Sequence, residues 1–425
     1  MRRATKYRIY PTPDQETTMV GWLGQLRFVW NWLLADNITY HEETKKFKFR
    51  NEMKKLLPGL KKQLPWLDAP AHAFQNKVFA LDAALRRCVV DKTNGFPRFR
   101  AKHLCQAGIR LDQVHQYDAD KKPIPGKEMI QLIDNNMKLP KIGEIEFVRH
   151  REPLGRLTSV TIKREADHWY AVCLFDIEDY QDPATSIDDD RIIGLDMGLK
   201  QFFASSDGEI KEIEQHYRKA QKRLARLQRR LSKAQKGGKN REKRRLKVAR
   251  QHRKVTNKRR DFHHQTAAAI AKQSDVVCCE DLNIKGMKRN LNLGKSISDA
   301  GWGSFLLILE DKLNRNGGWL QKIGRFFPSS QLCHKCGHRQ SMPLGMNLFD
   351  CERCDHVGDR DVNAAINIRR EGIDIINRAG IARIYACGDT SGRVHSSEWA
   401  SQVSLKQEQV LEDNLSEAPI PLGSG

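Results

Sequence analysis

The spacing of apolar positions changes along the chain, and each change predicts a different kind of element. KYRIY near the start alternates as a strand does. Thr12-Pro13-Asp14-Gln15 then reads as a helix start, with threonine at the N-cap, proline in the first turn and glutamine placed to close a capping box. Helices are predicted from there to about Val90, through the aromatic run QLRFVWNWLL, with Trp22, Trp30 and Trp32 expected in the core rather than as platforms for bases. In GFPRFR, residues 95–100, basic and aromatic residues alternate across a turn. From about residue 105 to 178 the period falls to two, and RLTSVTIKREADHWYAVCLF reads as a hairpin turning near Asp167 and His168. Together with the N-terminal strand this segment predicts a small β-barrel.

Beyond a linker at 181–190, whose aspartates read as solvated loop charges, the pattern returns to helix. Tyr217, Ala220, Leu224, Leu227, Leu231 and Ala234 recur at spacings of three and four, Gly237-Gly238 interrupts, and a second helix runs from about 240 to Gln273. A helical hairpin with one apolar seam is expected. On either side of it stand two short apolar runs, RIIGLD and VVCCE, each ending in an acid, and GDRDVNAAINIRR predicts a helix with Ala364, Ala365 and Ile368 turned inward. After Arg383 periodicity is lost, and residues 385–425 are expected to be a disordered tail.

Composition sharpens this picture through charge. The chain has 425 residues, 39% hydrophobic, enough for several cored domains, and a formal net charge of +22. Residues 211–260 hold 22 Lys and Arg against three Glu and no Asp, so 19 of those charges lie on the predicted hairpin. Such a density repels itself unless phosphates neutralise it, and nucleic acid is the expected partner. No apolar run approaches the roughly 18 residues of a membrane span, and MRRATKYRIYPTP holds no apolar signal core, so neither a membrane partner nor export is expected.

Ten cysteines are too few for a disulfide scaffold, and four form two Cys-x-x-Cys pairs, which suggests a reducing cytoplasm and a bound metal. Cys333, Cys336, Cys351 and Cys354 have the spacing of a tetrahedral Zn²⁺ cage, and four sulfur ligands leave no open position, so one structural zinc is expected. His334, His338 and His356 are left outside that cage. Cys88, Cys105, Cys173, Cys278, Cys279 and Cys387 are scattered and read as buried or incidental thiols.

Reactive carboxylates are expected elsewhere. Asp196 and Glu280 close apolar strands, where an ionisable group is costly unless it binds metal, and Asp361 stands where a helix begins. Three carboxylates on two strands and a helix start can hold two Mg²⁺ about 4 Å apart, the arrangement that supports phosphodiester hydrolysis. Asp281 and Asp359 compete for the last two roles.

In that order GLDMGLKQF, CCEDLNIKGM, FFPSSQLCHKCG, CERCD and DRDVNAAINI, with YRIYPTPDQE, RFVWNWLL and GFPRFRAK before them, resemble the TnpB (OrfB) proteins of insertion sequences, over residues 5 to 390. The resemblance implies an α+β multidomain fold: a wedge-like β-barrel domain (1–12 and 105–180), interrupted by a helical recognition domain (13–104). An RNase H-like RuvC nuclease domain would follow (191–324 and 360–384), with the basic hairpin (209–273) and a zinc ribbon (325–359) inserted. It further implies an RNA-guided endonuclease that cuts double-stranded DNA beside a short transposon-adjacent motif, with the family's acidic triad on Asp196, Glu280 and Asp361. Asp196 would bridge two Mg²⁺, and Glu280 and Asp361 would complete one each. PAHAFQNKVFALDAAL resembles the family's recognition helix, where Gln75 and Asn76 can pair with adenine edges and Lys77 with phosphate or guanine, or all three are ordinary exposed polar residues. Arg98 and Arg100 belong to the contacting loop. Arg325 either steadies the strand entering the nuclease site or packs on the surface. Partners implied are a guide RNA from the transposon end and target duplex DNA, held by a monomer in a prokaryotic cytoplasm. A nuclease-inactive guided repressor, a DNA transposase and a structural RNA-binding protein remain as alternatives.

Overall fold

The computed structural model describes residues 2–91, 95–101, 108–114, 128–153, 155–177, 189–290, 294–343 and 345–378. The chain divides into two compact units, one ending at Tyr180 and the next beginning at Gln181. Residues 181–188 of the expected linker, the expected tail, Cys105 and Cys387 lie outside the described residues, and Asp189–Arg191 form one 3₁₀ turn.

The first unit opens with strand β1 (Arg2–Tyr10) and three helices, α1 (Pro13–Thr44), α2 (Arg50–Gln63) and α3 (Ala71–Val90). The capping box forms: Thr12 Oγ1 accepts from Gln15 N at 3.3 Å and Thr12 N donates to Gln15 Oε1 at 3.0 Å. Six more strands follow, β2 (Ile109–Asp112), β3 (Gln131–Ile133), β4 (Asn136–Leu139), β5 (Gly143–Phe147), β6 (Arg156–Glu165) and β7 (His168–Asp176). They pair antiparallel with β1 in the order β2-β6-β7-β1-β5-β4-β3. The two ends of this ladder meet. Met129 N donates to Val114 O at 3.0 Å, and the Gln113 side chain clasps both backbone groups of Ile130 at 2.7 and 2.8 Å, so the sheet curls round on itself. One continuous core joins the sheet to the helices and includes Tyr7, Trp22, Trp30, Phe74, Phe147 and Phe175, with Trp32 half-buried against it.

In the second unit β8 (Ile192–Asp196), β9 (Gln201–Ser205) and β10 (Ile210–Glu212) precede the basic helices α4 (His216–Ser232) and α5 (Lys239–Gln273). Then come β11 (Val276–Glu280), α6 (Ile284–Asn290), α7 (Gly294–Ala300), α8 (Trp302–Arg315) and β12 (Trp319–Ile323). The small hairpin β13 (Leu348–Asp350) and β14 (Val357–Asp359) leads into α9 (Arg360–Arg378). The sheet order is β10-β9-β8-β11-β12, antiparallel up to β8 and parallel from β8 through β12.

Both faces of this sheet are covered, which is why β8 and β11 read as unbroken apolar runs rather than alternating ones. Ile193, Leu195, Val277 and Cys279 face a core with Ala267 and Ile270 of α5 and Phe305 and Leu309 of α8. Ile192, Val276 and Cys278 face the opposite way, with Ile368 and Ile376 of α9. The α4–α5 seam is shallower, with Leu224 and Val255 its buried members. Among the described residues no helix is long and apolar enough to cross a membrane.

Candidate active site and metal centre

Strand parity decides where the acids point. Side chains alternate between sheet faces, so Asp196 shares a face with Ile192 and Gly194, and Glu280 with Val276 and Cys278, the face covered by α9. Leu195 lies opposite Cys279 in the parallel pairing of β8 with β11, which makes Asp196 and Glu280 neighbours at the same end of adjacent strands. Parallel sheets gather ligands at this carboxyl end.

Helix α9 brings the third acid. It lies so close to β8 and β11 that a Cβ on Gly194 would sit 2.1 Å from Ala365 O, and one on Gly372 would sit 2.2 Å from Cys278 Sγ. Asp359 caps the helix, its Oδ1 accepting from Asp361 N at 2.9 Å and Val362 N at 3.0 Å. That leaves the Asp361 carboxylate to other uses, and its Oδ2 accepts from Gln201 Nε2 at 3.0 Å. Glu280 Oε1 accepts from Ser329 Oγ at 2.7 Å. The competing Asp281 is instead bound by Arg325, whose Nε donates to its backbone oxygen at 3.1 Å and whose Nη2 reaches its carboxylate.

Burial first, then the charges of Glu280 and Asp361, pushes the Asp196 carboxyl up to about 7, against the opposing pull of Arg360. The donors are carboxylate oxygens, the chemistry that suits a hard divalent cation, and a cation among them would relieve that mutual repulsion. Gln201 Oε1 and Arg360 Nε are buried beside this cluster without a hydrogen-bond partner.

The four cysteines form a separate centre. Their sulfurs all lie within 4.8 Å of one another, with Cys333 Sγ 3.7 Å from Cys354 Sγ and Cys336 Sγ 3.6 Å from Cys351 Sγ. A tetrahedron with metal–sulfur bonds of about 2.3 Å has edges of about 3.8 Å, so the donor set and its spacing fit zinc. It is the one group of three or more Cys, His, Asp or Glu this close among the described residues. The histidines stand outside it: His334 Nδ1 pairs with Asn363 Oδ1 at 3.0 Å, and His356 packs edge-on against the His334 ring.

Two asparagines tie this centre to the acids. Asn363 accepts from His334 N at 3.0 Å and donates to Leu332 O at 2.7 Å, while Asn367 Nδ2 donates to Ser329 O at 2.9 Å and Leu332 O at 2.7 Å. One segment, 329–334, thus touches Glu280, starts the cysteine cage and is gripped by the helix that carries Asp361. Sequence reading alone does not single out Gln201, Ser329, Asn363 or Asn367. The available signal was NAAIN, two amides four residues apart on a helix face that otherwise goes inward.

The expected nucleic-acid contacts lie in the first unit, apart from Arg325. Asn76 Nδ2 bonds Asp112 Oδ2 at 2.9 Å and Arg110 O at 3.2 Å, and Lys77 Nζ bonds Gly108 O at 3.3 Å, so both grip the segment of β2, while Gln75 is half-buried. Arg100 lies over the Trp30 ring at 3.6 Å and Asn31 holds its backbone, while Arg98 is exposed and accepts the Trp30 indole on its carbonyl.

Comparison with known proteins adds ancestry to this geometry. Residues 176–291 match a family described as "Probable transposase", residues 302–368 one described as "Cas12f1-like, TNB domain", and residues 1–46 one described as "Helix-turn-helix domain". In this chain the last span is a strand and one unbroken helix of 32 residues, α1. A "Putative RNA-guided DNA endonuclease" of Streptomyces pristinaespiralis is 30% identical over 96% of this chain and 96% of its own length. InsQ of Escherichia coli K12, of the same description, is 28% identical over 92% of this chain and 96% of its own. The cryo-EM structure of a Cas12f1-sgRNA-target DNA complex covers 87% of this chain at 15% identity and a TM-score of 0.49.

Proposed function

The chain belongs to the TnpB family, and from that premise we propose that it is an RNA-guided DNA endonuclease that cuts at Asp196, Glu280 and Asp361. The observation that carries this reading is the convergence of two strand-end acids with one helix-start acid on a single sheet face.

In this reading the three carboxylates hold two Mg²⁺, which when bound activate water and neutralise charge at the leaving oxygen. Asp196, buried beside Glu280 and Asp361, is an acid whose ionisation a cation would favour. Ser329 fixes the Glu280 carboxylate and Gln201 fixes that of Asp361, so neither must be reoriented when DNA arrives. Cys333, Cys336, Cys351 and Cys354 hold one structural zinc, which keeps segment 329–334 in place. The five-stranded sheet and α9 form the RuvC-like nuclease domain, the curled seven-stranded sheet the wedge, and α1–α3 the recognition domain. A guide RNA pairs with one DNA strand, the protein holds the heteroduplex by its shape and backbone, and side chains read only a short adjacent motif. Gln75, Asn76, Lys77, Arg98, Arg100 and Arg325 are the proposed contacts, and a monomer in a prokaryotic cytoplasm is the working form.

The test is to sequence the RNA that co-purifies when the protein is made with its flanking DNA, then offer a plasmid matching its 3′ part. Magnesium-dependent cutting is expected, with Asp196→Ala, Glu280→Ala and Asp361→Ala each abolishing it while RNA binding persists. Guided binding without cutting by the wild-type chain would make it a repressor, and joined products would make it a transposase.

A further inference from the structure

Phe326 is 92% exposed, the most exposed large hydrophobic side chain among the described residues. Such exposure is commonplace on a mobile tip, but here the backbone is fixed on both sides. Before it, Ile323 pairs with Glu280 in the sheet and Arg325 is bonded to Asp281. After it, Phe327 N closes a turn onto Gly324 O at 3.1 Å, the Phe327 ring packs into the core beneath α9, and Ser329 is bound to Glu280 and Asn367. Of two adjacent phenylalanines, one is half-buried against that core and the other is turned outward. The Phe326 ring stands three residues from the hydroxyl that holds Glu280.

An apolar ring kept in water beside a phosphodiester-cutting centre has one natural complement, the flat face of an unpaired base. Exposed Lys322, four residues before Phe326 near the end of β12, adds a cation on the same stretch of chain for a phosphate backbone. Resting on the endonuclease reading above, we propose that Phe326 is the stacking platform for one unpaired base of the DNA strand that reaches the acids. It would hold that strand in register so that the scissile phosphate stops at Asp196, Glu280 and Asp361.

The experiment uses the full chain with its co-purified RNA and a matching target duplex carrying 5-iododeoxyuridine near the cut. Light-induced cross-linking is followed by mapping of the tryptic peptide 326–335, and cutting rates of Phe326→Ala, Phe326→Leu and Phe326→Trp are measured at subsaturating complex. The expected result is a DNA cross-link at Phe326, cutting slowed about 10- to 100-fold by alanine and by leucine, and restoration by tryptophan to within about threefold of wild type. Unaltered cutting by Phe326→Ala overturns the proposal, whatever the cross-link shows. Full rescue by leucine overturns it as well, because a merely greasy contact needs no ring, and so does a DNA cross-link that maps to another peptide and not to Phe326. If the wild-type complex cuts nothing, the endonuclease reading fails by itself. The cross-link then decides the ring: DNA on Phe326 keeps the stacking contact, and its absence removes both.

Discussion

Single ionisable groups in this molecule carry opposite pH signatures. Asp196 is raised to about 7 by burial and by Glu280 and Asp361, so between about pH 4 and 7 the folded chain holds a proton that the unfolded chain has released. Its contribution is therefore favourable in acid and is lost as pH rises through 7. His263 works the other way. It is buried against Phe202, Nε2 lies 2.8 Å from Ala300 O, and burial pulls its imidazole down to about 4. The unfolded chain takes up a proton first, near pH 6.5, and stability is lost as pH falls from there toward 4. Because the windows overlap, each is read as a difference between variant and wild type in magnesium-free buffer. Asp196→Asn is expected to gain thermal midpoint relative to wild type as pH rises from 4 to 7. His263→Gln is expected to gain as pH falls from 6.5 to 4. At this scale much was legible: an acid ending a run such as IIGLD or VVCCE announces itself. Whether Asp359 or Asp361 is the free carboxylate was not, because both fit a helix start and only the hydrogen bonds from Asp361 N and Val362 N assign the cap to Asp359.

Elements are held together here by close approach and by amides. Gly194 has no room for a methyl group because the obstructing atoms, Ala365 O at 2.1 Å and Arg369 N at 2.7 Å, are backbone. Gly194→Ala is expected to push α9 off β8, at about 1–3 kcal/mol in denaturant unfolding, and to slow cutting by displacing Asp361. Asn367→Ala leaves Ser329 O without this donor and Leu332 O with that of Asn363 alone, costing about 1–3 kcal/mol. Cutting should fall while bound zinc, measured by metal analysis, stays at one per chain. Stripping zinc with a thiol reagent should release the same segment from the other end, so metal loss and loss of cutting are expected to run in parallel. The strands and helices that carry these contacts follow from apolar period. The contacts themselves do not, since a glycine or an asparagine in a helix-and-strand pattern has no period that reveals its partner.

On the scale of the whole molecule, charge is the property that composition fixes. The exposed cations of α4 and its C-cap include Lys222, Arg226, Arg230 and Lys233, a stripe along the helix. Replacing these four with glutamine is expected to weaken RNA binding at low salt and to flatten the log–log salt dependence by up to about 3. Within the second unit the helix pair is anchored by capping from outside: Asp299 accepts from Tyr217 N at 2.7 Å and Arg218 N at 3.1 Å, where Gln215 has a left-handed backbone and supplies no cap of its own. From the sequence alone come the kinds of element, the basic hairpin, the cysteine spacing and the two acids that end apolar strands, because period, charge and ligand spacing are local properties written residue by residue. Tertiary structure alone decided that the seven-stranded sheet meets itself through Gln113, and that one short segment serves Glu280, the cysteine cage and α9 together. These are encounters between residues far apart in the chain, set by which faces remain to be buried after each element has formed.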